Sequence, residues 1–239
     1  MVPSGDVAVV IPARNEADRI RATVTGAAGL PGVDLVLVVD DGSRDGTAAV
    51  AQEAGASVVR HSRSRGKAAA MESGAEAVRL LETRDSRSHP RHLLFLDGDL
   101  GQTAAGAAPL AEPVRAGEAD MTIAVFATRV RQGGHGFVVA LSGAGIERAT
   151  GWRPAQPLNG QRCLTRAAFE AARPLAPGFG AETALTIDLL RQGMRVRQRH
   201  RLAGPGSPGP AVRRRRARTG GAPVGSAQGP DPGASAQPG

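Results

Sequence analysis

The sequence predicts an open α/β sheet with helices on both faces, and three observations predict it. Short, wholly apolar runs recur along the chain, as strands buried on both faces require. Stretches of helical character alternate with them. Acidic and glycine-containing clusters fall just after the apolar runs, at the carboxyl ends of the expected strands, where such sheets bind ligands.

The elements follow in order. Val7-Ala8-Val9-Val10-Ile11 is a β-branched run ended by Pro12, which suits a buried parallel strand. Asn15 stands where it would cap a helix over residues 16–28. Leu35-Val36-Leu37-Val38-Val39 is a second strand, ending in Asp40-Asp41-Gly42-Ser43. A helix over residues 47–54, with Asp45 as its capping acid, is stopped by Gly55, and Ser57-Val58-Val59-Arg60 is a short third strand. Gly66-Lys67 opens a long Ala-rich helix to residue 82. After a polar connector, Leu93-Leu94-Phe95-Leu96 runs without a gap into Asp97-Gly98-Asp99. Beyond it, residues 121–125 read as a strand, 133–136 as a flexible loop and 137–149 as a helix. Residues 158–165 read as extended, 166–172 as helical and 177–180 as a turn. Residues 182–192 form an amphipathic helix with Leu185, Leu189 and Leu190 on its apolar face.

The 239 residues suffice for one domain with a sizeable core, placed over residues 1–202, and a Gly/Pro/Arg-rich tail over 203–239 expected to be disordered. Of the formal charge of +8, half sits in that tail, with Arg213, Arg214, Arg215, Arg216 and Arg218 against Asp231. A solvated charge run is the simplest reading of the arginines, with an anionic surface as their alternative partner. Five phenylalanines, one tryptophan and no tyrosine leave few stacking platforms, so no specific nucleic acid is expected. One cysteine, Cys163, excludes an internal disulfide framework and a cysteine zinc site. No basic leader and no apolar stretch near the ~18 residues of a membrane span are seen, so a cytoplasmic protein is expected.

Asp97-Gly98-Asp99 carries the chemistry. Two carboxylates at the end of a buried strand are costly to desolvate, and a divalent cation carrying a diphosphate would offset that cost. Hard oxygen ligands suit Mg²⁺ or Mn²⁺. A polar turn after a strand stays open as the plainer alternative for this motif alone.

Four motifs, taken in order, resemble family 2 glycosyltransferases: Ile11-Pro12-Ala13-Arg14-Asn15-Glu16, Val38-Val39-Asp40-Asp41-Gly42-Ser43 with Arg44-Asp45-Gly46-Thr47, Arg65-Gly66-Lys67, and Phe95-Leu96-Asp97-Gly98-Asp99. The later stretch around Pro157-Leu158-Asn159-Gly160-Gln161-Arg162 and Pro177-Gly178-Phe179-Gly180-Ala181-Glu182 resembles actinobacterial members and is similar to glucosyl-3-phosphoglycerate synthases. The resemblance implies a GT-A fold, a nucleotide-binding half joined to an acceptor-binding half. It implies that Pro12, Ala13 and Glu16 border the nucleoside, and that Asp40 and Ser43 form its second loop. Lys67, beside free helix N–H groups, would hold an anion such as the diphosphate. Asp97 would bond the ribose or sugar, and Asp99 would ligate Mg²⁺ or Mn²⁺. Glu182 falls where the family places an acid that deprotonates or orients the acceptor hydroxyl, although an N-terminal acid of a helix explains it equally. Asn159, Gly160, Gln161 and Arg162 would form the acceptor pocket. His200 would be a further metal ligand, although fewer residues separate it from the acidic turn than in the synthases.

The implied reaction moves a hexose from a nucleotide diphosphate sugar, UDP-linked first, to a hydroxyl or phosphate acceptor. That acceptor is a small phosphorylated acid or a lipid phosphate; contact with the inner membrane face and a homodimer are left open. A sugar-nucleotide nucleotidyltransferase wants a Gly-rich first loop, and Pro12-Ala13-Arg14-Asn15 is not one. A dinucleotide-dependent oxidoreductase would need G-x-G-x-x-G there. An inactive homologue with a polyanion-binding tail is the remaining alternative.

Overall fold

The computed structural model describes residues 6–126 and 136–202. The expected tail and most of the loop at 133–136 lie outside the described residues. Among those described, seven strands form one mixed sheet: β1 Val7–Ala13, β2 Val33–Asp40, β3 Ser57–Arg60, β4 His92–Phe95, β5 Met121–Val125, β6 Arg162–Leu164 and β7 Val196–His200. Their spatial order is β3-β2-β1-β4-β6-β5-β7. β1 to β4 are mutually parallel, β6 runs antiparallel to both its neighbours, and β7 is parallel to β5. Order reverses at β1, where β2 lies to one side and β4 to the other, so the crevice beyond their carboxyl ends is the switch point.

The strand period of two divides the core. Val7, Val9 and Ile11 of β1 pack with Ile20 and Val24 of α1 (Ala17–Ala28), Ala51 of α2 (Thr47–Glu53) and Leu110 of α4 (Ala108–Arg115). Ala8 and Val10 face the other way, onto Met71, Ala75 and Val78 of α3 (Lys67–Arg84). The same layer holds Phe169 of α6 (Arg166–Ala171) and Leu185 of α7 (Ala181–Arg191). α5 (Gly136–Thr150) packs against α7. Each fully buried aliphatic side chain contributes roughly 1.5–3 kcal/mol, which is why the apolar runs decide the fold.

Three local expectations are corrected. β1 continues through Pro12 to Ala13, with Pro12 opposite Val39 and Ala13 opposite Asp40. Asn15 does not cap α1: it adopts φ 55°, and its Oδ1 accepts from the Arg44 N–H at 2.9 Å. The first donors of α1 are met across the cleft edge instead, Glu16 N–H by Thr47 Oγ1 at 2.9 Å and Ala17 N–H by Asp45 Oδ2 at 3.2 Å. The extended stretch near 158–165 is a strand only over Arg162–Leu164, with a turn at residues 157–158 before it. A 3₁₀ turn at Gly101–Ala107 leading into α4 had no counterpart in the expected elements.

Gly74 shows how closely α3 lies on the sheet. A Cβ there would collide with Val10 Cγ1 and come within 3.1 Å of Val39 Cγ2. Gly74→Ala gains up to about 1 kcal/mol of helix propensity but overpacks a filled layer, which costs about 1–3 kcal/mol. The expected outcome is a net loss of stability, read as a lower urea midpoint at unchanged slope.

Candidate functional site

The parallel strands deliver their C-terminal residues to one rim. There the residues after β1, β2 and β4 enclose a cleft of about 440 Å³ lined by Pro12, Ala13, Arg14, Glu16, Asp41, Ser64, Gly66, Lys67, Ala70, Asp97, Gly98 and Asp99. Six residues singled out from the sequence thus converge: Pro12, Ala13, Glu16, Lys67, Asp97 and Asp99.

Lys67 is the first residue of α3. Its Nζ donates to Asp97 Oδ1 at 2.6 Å and lies 3.2 Å from Glu182 Oε1. Burial pushes against the ammonium, but the Asp97 and Glu182 carboxylates outweigh it and hold Lys67 above its ordinary value. Gly160 makes this arrangement possible. A Cβ at that position would strike Lys67 Nζ and come within 2.9 Å of Asp97 Oδ1.

Asp99 is exposed on the rim and has no hydrogen-bond or ion-pair partner among the described residues. Glu16 stands near enough to feel it: burial and the charge of Asp99, outweighing Arg19, hold its carboxyl above the usual range. An uncommitted carboxylate beside Asp97 fits a hard divalent ion that takes one or two protein oxygens and completes its shell with phosphate and water. Among the described residues no three His, Cys, Asp or Glu side chains gather closely enough to hold a metal alone. His200 accounts for part of that. It ends β7 opposite Val125, three strand positions from β4, is exposed, and does not line the cleft. With Asp97 and Asp99 it forms no three-ligand group among the described residues, so the geometry lends its expected role as a ligand no support.

Asp40, expected in the nucleoside loop, is buried behind it, and its neighbour Asp41 stands at the main cleft. Asp40 is fully buried, its Oδ1 accepting from the Ser43 N–H at 2.8 Å. Arg60 Nε lies 3.2 Å from Oδ2 but out of line for a hydrogen bond. It faces no cleft and shapes the loop instead. Ser43 Oγ accepts from the Asn15 N–H at 2.9 Å and borders a neighbouring cleft of about 530 Å³ with Arg14, Arg44, Arg60 and Arg63. Asp41 is the residue that reaches the main cleft. Its two oxygens accept from His61 Nδ1 at 2.7 Å, Ser64 Oγ at 2.7 Å and the N–H groups of Arg65 at 2.8 Å and Gly66 at 2.9 Å. Burial alone would raise its pKa, but these bonds together lower it to about 2. Asp41 therefore fastens the segment 61–66 from which α3 and Lys67 start. Nothing but its position beside Asp40 signalled this in the sequence.

The acceptor loop is also corrected. Asn159 is buried, donating to Ala124 O at 2.8 Å and accepting from Gln161 N–H at 3.0 Å. Gln161 is 2% exposed, and its carbonyl accepts from Ala124 N–H at 2.9 Å. Arg162 has no exposed surface. These residues form a floor under Lys67 and Asp97, and only Gly160 meets the charged pair directly. Glu182 opens α7 and is nearly buried, with its carboxylate turned to Lys67.

The chain matches the family described as Glycosyl transferase family 2 over residues 8–153. Glycosyltransferase AglJ of Haloferax volcanii is 31% identical over 200 residues, covering 82% of this chain and 62% of that protein. The chain therefore spans under two thirds of that relative's length. Glucosyl-3-phosphoglycerate synthase of Mycobacterium tuberculosis, in complex with phosphoglyceric acid, superposes with TM-score 0.64 at 26% identity, covering 82% of this chain and 70% of the synthase. The same synthase in complex with Mn²⁺, uridine diphosphate and phosphoglyceric acid gives the same TM-score and identity, with 68% of its chain covered. The sheet is thus that of the GT-A glycosyltransferases, as the sequence led us to expect.

Two outcomes follow from this geometry. The Asp41 carboxyl is lowered from 3.8 to about 2, so its stabilisation, about 2 kcal/mol, is fully present above pH 4 and is lost as pH falls toward 2. Denaturation between pH 2 and 5 should show that slope, and Asp41→Asn should flatten it while lowering stability at neutral pH. Gly160→Ala should keep the fold, seen as unchanged far-ultraviolet dichroism, but displace Lys67 and weaken anion binding in the cleft at least about tenfold, the 1.4 kcal/mol of one displaced charged bond.

Proposed function

The chain belongs to glycosyl transferase family 2, and from that premise we propose that it transfers a hexose from a UDP-linked donor to a phosphorylated, hydroxyl-bearing acceptor. The observation that carries this reading is the meeting of Lys67, Asp97 and the uncommitted Asp99 in one cleft with the Pro12–Glu16 edge. The mycobacterial synthase, described in complex with Mn²⁺, UDP-glucose and phosphoglyceric acid, supports the choice of donor and acceptor class.

Each residue then has a task. Backbone groups of Pro12 and Ala13 border the base and ribose, an edge-on polar recognition that fixes the nucleoside. Asp99, with Asp97 beside it, would hold Mg²⁺ or Mn²⁺, which when bound supplies neutralisation of the leaving diphosphate. Lys67 offers a second positive charge to the same diphosphate, at the N-terminus of α3 where free N–H groups favour anions. Glu182 accepts the proton of the attacking hydroxyl, its carboxylate held at the cleft by Lys67 Nζ 3.2 Å away. Arg162 is too deeply buried to meet an acceptor phosphate.

Titration calorimetry tests the donor half. UDP should bind the wild-type chain at least about tenfold more tightly with Mn²⁺ than without, and more tightly than GDP. Asp99→Ala should abolish the metal-dependent part alone. UDP affinity that ignores both the metal and the substitution would overturn the reading.

A further inference from the structure

Arg162 is a fully buried cation in the middle of the sheet. It occupies β6, opposite Phe95 of β4 and Ile123 of β5, and is the bulkiest side chain with no exposed surface. Nη2 donates to Asn159 O at 2.6 Å and Nη1 to Glu182 O at 3.3 Å, while Nε is buried without a partner. It forms no ion pair among the described residues. Burial brings its pKa down to about 10, with Glu182 and Asp97 opposing the shift, so it stays charged at neutral pH.

A buried charge held only by two carbonyls costs stability, and an apolar residue of similar volume would pack there more favourably. The surroundings point to what offsets that cost. Asp97 and Glu182 converge on the single ammonium of Lys67. With Arg162 behind them, two anions face two cations. Its two carbonyl bonds also join the floor loop at Asn159 to the first turn of α7 at Glu182, where Thr186 Oγ1 donates to the same carbonyl at 2.8 Å.

We propose that Arg162 is a positioning residue for the transfer: by holding the backbone of Glu182 on the floor of the cleft, it keeps the Glu182 carboxylate at Lys67 and ready for the acceptor. This rests on the function proposed above, but its geometric half can be tested without any substrate. Lys67 is the only lysine in the chain, so protein labelled with [¹⁵N]lysine gives a single side-chain ammonium signal. In Arg162→Met the exchange of that ammonium with water should accelerate at least about threefold as Glu182 moves away. Arg91→Met is the control, because Arg91 is also buried but pairs with Asp34 and Glu82 away from the cleft, and it should leave the signal unchanged. Equal exchange in wild type and Arg162→Met, or an equal acceleration in both variants, would overturn the proposal.

The kinetic half uses UDP-glucose and 3-phosphoglycerate. Arg162→Met should lower kcat more than about tenfold with the Mn²⁺–UDP affinity within about twofold of wild type, and Arg162→Lys should restore part of kcat. A loss of UDP affinity matching the loss of kcat would make the role general to the fold and overturn the proposal. Where Arg162→Met does not fold, Arg162→Gln carries the exchange test, since it also removes the cation and leaves Lys67 the single lysine. If wild type binds no UDP, the function fails while the ammonium result still decides whether Arg162 places Glu182.

Discussion

One ammonium between two carboxylates organises this molecule's cleft. Lys67 reaches Asp97 from α3 and meets Glu182 from α7, while Gly160 leaves the space in which the three sit. Those four residues come from four separate segments, so the contact fixes the nucleotide-side strands to the later half of the chain. Both carboxylates would repel each other without the cation, and a pair only a third exposed is screened less than a surface ion pair. A site held by ions already present is also prepared for ions that arrive, since its charges stand in place before a ligand comes.

The ion pair depends in turn on neighbours that never touch a ligand. Asp41 collects four hydrogen bonds and anchors the segment from which α3 starts. His61 continues that chain of bonds to Ser73 Oγ at 3.0 Å, tying the segment to the second turn of the same helix. Asp45 and Thr47, at the start of α2, satisfy the start of α1, so the first two strand-to-helix turns brace each other. A loop fastened in this way loses little further freedom on binding, which is the physical advantage of spending buried carboxylates on scaffolding.

Legibility in the sequence followed the range of the interaction. The strands were readable because their apolar runs are local, and so were Asp97, Asp99 and Lys67, whose positions at strand and helix ends follow directly from those runs. Asp40 against Asp41 was not readable. Adjacent residues at a strand end point to opposite sides, and only the register of Ala13 against Asp40 decides which one reaches the cleft. His200 was not readable for a related reason, because the strand order β4-β6-β5-β7, invisible in sequence, decides where along the rim β7 ends. Asn159, Gln161 and Arg162 looked like a polar ligand loop, yet they are buried and bond mainly to Ala124, Glu182 and one another, with Gln161 Oε1 and Arg162 Nε left without a partner. A buried strand that begins with Arg162 before Cys163 and Leu164 does carry a signal, for a cation there must have an unusual reason.

Composition sharpens the argument about Lys67. The chain holds 29 arginines and this one lysine, so positive charge is supplied elsewhere by guanidinium without exception. Charge alone therefore does not explain the lysine. The geometry does: Gly160 lies so close that not even a methyl group fits beside Nζ, and Asp97 and Glu182 approach from two different segments. A planar guanidinium favours side-by-side, bidentate partners, whereas an ammonium is compact and donates in three directions. Two carboxylates from α7 and the β4 turn leave one direction of that ammonium uncommitted, and the cleft lies open on the same residue. The demand for a small, three-way donor, rather than for a cation as such, is what fixes lysine at the point where an incoming anion would be met.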